Sequence, residues 1–242
     1  MSKKLDILIP VYNEDEVIVK TLNQILANVK CNYEIFICYD YEDDPTLKII
    51  NNNFNKNSKI SFIKNNSRGF NQALISGIKK THGDAILIYM ADDHENFNLI
   101  DICYDKFNHG YNLVCPSRFV EGGKMEGNAF LKEILTRLAS FFFKYFTTFP
   151  IKDSTNAFRL FSRSLLKEIN FESDKGFTLS LEITAKAHRM GLKMIEIPSI
   201  WIERKQGESR FKIFSFLPPY MKWLFYIIKT SIFFRNKWKI LM

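Results

Sequence analysis

LIYMADDHEN, residues Leu87 to Asn96, begins as an apolar run and ends in side chains able to hold a metal. A short apolar run bounded by polar residues reads as a buried strand. Its carboxyl end here carries Asp92, Asp93, His94 and Glu95. Mg2+ and Mn2+ prefer oxygen ligands, and Mg2+ is commonly held by one or two carboxylates together with substrate phosphates. Asp92, just beyond the strand, is therefore the candidate principal ligand. His94 is a second candidate, imidazole being tolerable to Mn2+. Met90 offers no hard oxygen, so a metal here leans on Asp92 and on phosphates. Asp93 is a weaker substitute, because adjacent residues on an extended chain face opposite ways.

Outward from this stretch, strand and helix patterns alternate. LDILIPVY, YEIFICYD, ISFIKN, DAILIYM and YNLVCPS read as strands; EVIVKTLNQILANV, TLKIINNNF, FNQALISGIKKT and LIDICYDKFN read as helices. Such alternation implies a mostly parallel sheet covered on both faces. Ligands of such sheets lie at the carboxyl ends of the strands, which gathers YNE, YDYEDD, ADDHE and SRF around one crevice. The second half is less regular. Residues 128–149 look helical with a dense aromatic run, AFRLFS reads as a strand, LSLEITAKAHRMG as a helix and KMIEIPSIWI as one further strand. Residues 213–239 are apolar with Lys and Arg at intervals. The expected organisation is one domain over 1–212 followed by an amphipathic aromatic and basic extension over 213–242.

A chain of 242 residues that is 46% hydrophobic can bury a sizeable core, which excludes wholesale disorder. The four cysteines are scattered without a CxxC pair and read as reduced core thiols of a cytosolic protein, not a zinc site. The start, MSKKLDILIPVYNE, has too short an apolar run for a signal peptide and reads as a buried strand. Nothing approaches the length of a transmembrane helix. Charge is uneven: residues 1–110 carry 12 Lys/Arg against 15 Asp/Glu, and residues 111–242 carry 22 against 11. A basic half suits phosphate-rich or membrane-surface partners. The acidic crevice argues against nucleic acid.

Several clusters carry two readings each. Glu14 can accept hydrogen bonds from a ribose or base; equally, Asn13 followed by Glu16 resembles a capping box. Asp40 can receive a nucleobase N–H, with Asp44 capping the next helix, or the acids form a solvated turn. Gly69 allows close backbone approach before a helix, and Gly77 tight helix packing. DSTNAFR sets Asp153 beside Arg159. ERKQGESRF supplies Arg204, Lys205, Ser209, Arg210 and Lys212, a set that suits a diphosphate or a solvated loop.

Taken in order, these pieces resemble the family-2 glycosyltransferases, most closely their polyprenyl-phosphate, dolichol-phosphate mannose synthase-like branch. PVYNE resembles the family's opening motif, YDYEDDPT its DDxSxDGT, and RGFNQALISG its GxxxAxxxG. YMADDHEN falls on DADxQHP, PSRF on GSRY, DSTNAFR on DxTSGFR and RKQGESR on RxxGxSK. Met90 and Tyr39 stand where the family has aspartates. The resemblance implies an α/β fold of the GT-A type: a Rossmann-like, mostly parallel sheet flanked by helices, with a C-terminal amphipathic helical extension. It implies a nucleotide-diphospho-sugar donor and Mg2+ or Mn2+ as cofactor. It places Pro10, Tyr12, Glu14 and Asp40 on the nucleoside, with Gly69 nearby, and Asp92 with His94 on the metal. Arg118, Arg204, Ser209 and Arg210 fall on phosphates, and Asp153 near the acceptor; Asp92, Asp153 and Arg118 form the expected catalytic group.

The reaction expected is a metal-assisted in-line displacement onto a polyprenyl (dolichyl-type) phosphate. That acceptor needs no strong base, since a phosphate monoester's second pKa is about 6. A glycan hydroxyl acceptor would need one, with Asp153 or Glu182 the candidates. A non-catalytic nucleotide-sugar-binding protein is the third reading. The basic aromatic segments suit a peripheral position at the cytoplasmic face of a membrane, or alternatively core or a homodimer seam.

Overall fold

The computed structural model describes residues 3–14, 17–126, 147–202 and 213–233. The first five strands are β1 (Leu5–Val11), β2 (Tyr33–Tyr39), β3 (Ile60–Lys64), β4 (Ala85–Ile88) and β5 (Leu113–Ser117). Between them run α1 (Val17–Asn28), α2 (Pro45–Phe54), α3 (Phe70–Lys80) and α4 (Asn98–Asn108). Then come β6 (Lys124–Glu126), β7 (Arg159–Ser162), α5 (Arg163–Lys167), α6 (Leu179–Arg189), β8 (Met194–Pro198), β9 (Ile200–Ile202) and α7 (Ile213–Phe233). The mostly parallel sheet flanked by helices is present.

The main sheet has seven strands in the order β3-β2-β1-β4-β7-β5-β8. All seven residues of β1 are buried, as a central strand covered on both faces demands. β1 pairs in parallel with β2, Val11 opposite Tyr39, and with β4, Leu8 opposite Ile88. Successive strands run outward from β1 on one side to β3, while β4 lies on the other. The strand order thus switches between β1 and β4, where open α/β sheets bind ligands.

One core packs α1, α2 and α4 on one face and the other packs α3 and α6 on the opposite face. Gly77 lets α3 approach closely, since a Cβ there would stand 2.8 Å from Cys38 Sγ and 2.9 Å from Leu8 Cδ1. Cys38, Cys103 and Cys115 are buried free thiols and Cys31 is half-buried.

β7 runs antiparallel to both β4 and β5, with Ile88 opposite Arg159. KMIEIPSIWI, expected as one strand, is two. β8 pairs with β5, whereas β9 leaves the sheet after Pro198 and pairs with β6, Met125 opposite Trp201. The break lies at Ser199, whose N–H donates to Ser117 O at 3.0 Å while its own carbonyl accepts from Lys124 N. α7 runs through Pro218 and Pro219 and sets Trp223 and Ile227 into the second core, with Tyr220 against it. Trp223 Nε1 donates to Ser173 Oγ at 3.0 Å. Among the described residues, no helix is long and apolar enough to cross a membrane.

Candidate active site

The crests of β1, β2 and β4 share one rim because their registers align. Pro10, which cannot donate to a ladder, lies past the last pair between β1 and β4, so its missing N–H costs that ladder nothing. Tyr12 follows on the rim, 47% exposed. Asn13 takes a left-handed backbone (φ 50°). Its N–H donates to both Asp44 oxygens at 3.1 and 3.2 Å, and the Glu14 N–H donates to Thr46 Oγ1 at 2.9 Å. Asp44, 4% exposed, also caps α2 through Thr46 N at 2.9 Å. One carboxylate thus ties the β1 crest to the start of α2. The capping-box reading of Asn13 rests on Glu16, which lies outside the described residues.

Asp40 and Gly69 are in direct contact. Asp40 Oδ2 accepts from Gly69 N and Oδ1 from Asn65 Nδ2, each at 2.8 Å. Gly69 opens α3 at φ 101°, a conformation that favours glycine. The ring of Tyr41 lies 6.0 Å from that of Tyr12, with the Arg68 guanidinium 5.0 Å over Tyr41. This aromatic pair, with a cation beside Asp40, was not anticipated as a unit. Its signal was the tyrosine flanking each acidic stretch.

Beyond β4, Asp92 and His94 are half-buried. Thr21 Oγ1, from α1, donates to Ala91 O at 2.8 Å and steadies the turn. His94 Nδ1 lies 3.1 Å from Asp92 O, and Nε2 lies 3.4 Å from Glu95 Oε1. In the tautomer that donates from Nδ1 to the Asp92 carbonyl, Nε2 carries the lone pair that can ligate a metal. A metal-ligating histidine commonly shows this arrangement, its other nitrogen donating to a carbonyl or carboxylate. Asp92 with His94 therefore fits a divalent ion completed by substrate oxygens. Among the described residues, no three His, Cys, Asp or Glu converge to hold one unaided. Asp93 turns away to accept from Glu95 N and from Asn96 N and Nδ2. Burial raises its pKa, opposed by those hydrogen bonds and assisted by Asp92.

Past β5, Arg118 and Asp153 form a paired unit. Arg118 Nε and Nη2 each reach an Asp153 oxygen at 2.7 Å, and the Arg118 backbone N–H adds a third bond at 3.0 Å. Nη2 also donates to Thr155 Oγ1. Asp153 is fully buried. Burial pushes its pKa up, but the Arg118 charge and hydrogen bonds, with Arg159 beyond, outweigh that and hold it below the usual value. The expected neighbour Arg159 does not reach that carboxylate. It is buried on β7 and donates instead to Asp153 O, Ser180 O and Thr184 Oγ1. Glu182 is fully buried too, accepting from Glu172 N, Ser173 N and Lys186 Nζ. Arg204, Ser209 and Arg210 lie outside the described residues, in the stretch after β9, as does most of the aromatic run.

Residues 6–170 match the model of glycosyl transferase family 2. A dolichol-phosphate mannosyltransferase of Pyrococcus furiosus is 26% identical over 95% of this chain and 68% of its own length. An uncharacterized glycosyltransferase of Synechocystis is 30% identical over 70% of this chain, which spans 53% of that relative. Glucosyl-3-phosphoglycerate synthase from Mycobacterium tuberculosis, solved with Mn2+, UDP and glucosyl-3-phosphoglycerate, superposes with a TM-score of 0.68. It covers 95% of this chain and 80% of its own at 12% identity. A mannosyltransferase from Pyrobaculum calidifontis with GDP-Man and Mn2+ gives 0.59 at 18% identity, over 86% of this chain and 59% of its own. These likenesses bear out the GT-A type of sheet, and the chain belongs to the family-2 glycosyltransferases.

Proposed function

We propose that this chain transfers a sugar from a nucleotide-diphospho-sugar to a polyprenyl phosphate at a membrane surface. The observation that carries the donor half is the shared rim, where Tyr12, the Asp40–Gly69 contact and the Asp92–His94 turn meet at the strand switch. Two solved structures of the same fold support it, being complexes with UDP or GDP-Man and Mn2+. Tyr12 and Tyr41 would flank the nucleoside and Asp40 would accept its N–H. Asp92 and His94 Nε2 would hold Mg2+ or Mn2+, which when bound neutralises charge developing on the diphosphate. Arg118 Nη1, which neither Asp153 nor Thr155 engages, is the donor left for a phosphate. Arg204, Ser209 and Arg210, following β9 in sequence, would complete the phosphate grip.

The acceptor oxygen attacks the anomeric carbon as the bond to the diphosphate oxygen breaks. A hydroxyl acceptor would have to lose a proton. Asp153, the candidate base, has both oxygens on Arg118 and a pKa held low, which suits it to positioning. An acceptor already ionised needs no proton removed, and this favours a lipid phosphate. The dolichol-phosphate relative points the same way. So does the outward face of α7, where Phe225 is 62% exposed between exposed Lys222 and Lys229, a pattern of interfacial helices.

The test is a screen of nucleotide sugars with Mn2+ or Mg2+ against polyprenyl phosphate and soluble saccharides, following nucleoside diphosphate release. Transfer to the lipid phosphate is expected, abolished by chelator and lowered roughly 100-fold or more in Asp92→Ala. Transfer to saccharides alone would overturn the acceptor assignment. An Asp92→Ala variant with full activity would overturn the site.

A further inference from the structure

The side chain of Asn96 joins the loop that carries Asp92 to β9. It is buried, and both the nitrogen and the oxygen of its amide are hydrogen-bonded. Nδ2 donates to Asp93 Oδ1 and Oδ2 at 2.9 Å and to Ile200 O at 2.7 Å, while Oδ1 accepts from Ile200 N at 3.1 Å. The two residues are 104 positions apart. Ile200 opens β9, half of the two-stranded sheet with β6. The other tie is at the end of β5, where Ser199 N donates to Ser117 O, next to Arg118. Gly123 packs so tightly there that a Cβ would stand 2.5 Å from Ser117 O. Among the described residues, the small sheet is thus held both beside Arg118 and on the side of the Asp92 turn. Asn96 falls where the motif DADxQHP has proline, a residue with no amide to make this bridge.

We propose that Asn96 is a positioning residue that sets β9, and with it the Arg118–Asp153 end of the crevice, at a fixed offset from the Asp92 turn. The inference rests on the functional reading above. Displacement at carbon demands that nucleophile and leaving group stay aligned, and a small misplacement can cost about 100-fold. Donor binding should suffer less. The turn retains its own bonds from Glu95 N and Asn96 N to Asp93 when the amide is removed.

The experiment uses the full chain with Asn96→Ala and Asn96→Asp. Three quantities are read: affinity for nucleoside diphosphate with Mn2+ by calorimetry, the ratio of sugar transfer to donor hydrolysis, and hydrogen exchange at the Ile200 amide. Expected are a transfer-to-hydrolysis ratio lower by about tenfold, a smaller, few-fold loss of affinity because the phosphate-gripping stretch follows β9, and faster exchange at Ile200. Asn96→Asp keeps the size but sets a carboxylate against Asp93 and Ile200 O, so its ratio should fall at least as far. It carries the test if Asn96→Ala does not fold. An unchanged ratio in a folded variant, with the wild type binding nucleotide normally, overturns the inference alone. A wild-type chain that binds no nucleotide with Mn2+ overturns the functional reading and this inference together.

Discussion

Asp153 is a carboxylate whose surroundings decide its role. A fully buried charge is tolerated only when paired and hydrogen-bonded, and Arg118 supplies both conditions with two side-chain bonds and a backbone N–H. Removing one partner of such a pair typically costs about 3–5 kcal/mol, because the other is left buried and uncompensated. Asp153→Asn is expected to lose about 3 kcal/mol at pH 7. The pH dependence has a definite sign. A carboxyl held below its unfolded value of about 3.9 contributes stability above that pH and loses it as pH falls through the folded value. The gap between wild type and Asp153→Asn should therefore narrow below about pH 4. Urea titrations at pH 7, 5 and 3 check this, and a gap independent of pH would contradict the pairing account. The partner was hidden in the sequence because 35 residues separate Arg118 from Asp153. Arg159, six positions away, was the nearer guess, and chain proximity misled. Asn96 was passed over for a similar reason: an amide in a polar loop shows nothing of a partner 104 residues on.

At the scale of elements, α2 does more than cover the sheet. Its capping residue Asp44 also holds the Asn13 N–H, so the helix start and the β1 crest form one joint. Loss of an N-cap alone costs about 0.5–2 kcal/mol. Asp44→Ala should lose about 1–2 kcal/mol in thermal unfolding and raise the donor KM several-fold with little change in kcat, because the crest it steadies carries Tyr12 and Glu14. A stability loss with an unaltered KM would show that the crest holds its shape unaided. Most elements were legible. Apolar runs such as LDILIPV and AILI can hardly be other than buried strands, and the spacing in FNQALISGIKK marks one helical face. Strand direction was not legible, because a stretch such as AFRLFS carries no arrow. Nor was the break in KMIEIPSIWI, since Ser199 bends the chain through backbone bonds to Ser117 and Lys124 that no local pattern announces.

Across the whole molecule, polarity is divided between the acidic rim and the basic, aromatic carboxyl-terminal part. α7 sends Trp223 and Ile227 inward and leaves Phe225 and Lys229 outward, with Lys222 exposed beside them and paired with Glu172 at 2.9 Å. If the chain works at a membrane, this face makes the contact, with lysines at headgroup level and the ring below. Phe225→Glu should weaken cosedimentation with phosphatidylglycerol vesicles by about tenfold or more, given roughly 1.5–3 kcal/mol for burying such a side chain. Nucleotide binding should be unchanged. Equal vesicle binding by variant and wild type would remove α7 from the interface.

The reversed strand has a consequence for how the halves depend on each other. In sequence, residues 5–117 look like a self-sufficient unit of five strands and four helices. In space β5 does not pair with β4, because β7, translated some forty residues later, is wedged between them. A nascent chain ending near Ser117 would leave β4 with a bare, wholly apolar flank and β5 without either of its neighbours, a template for wrong pairing. The half before Ser117 is thus not a detachable module. Its sheet is completed only when the half that carries β7 arrives, so neither can be shortened or swapped without the other.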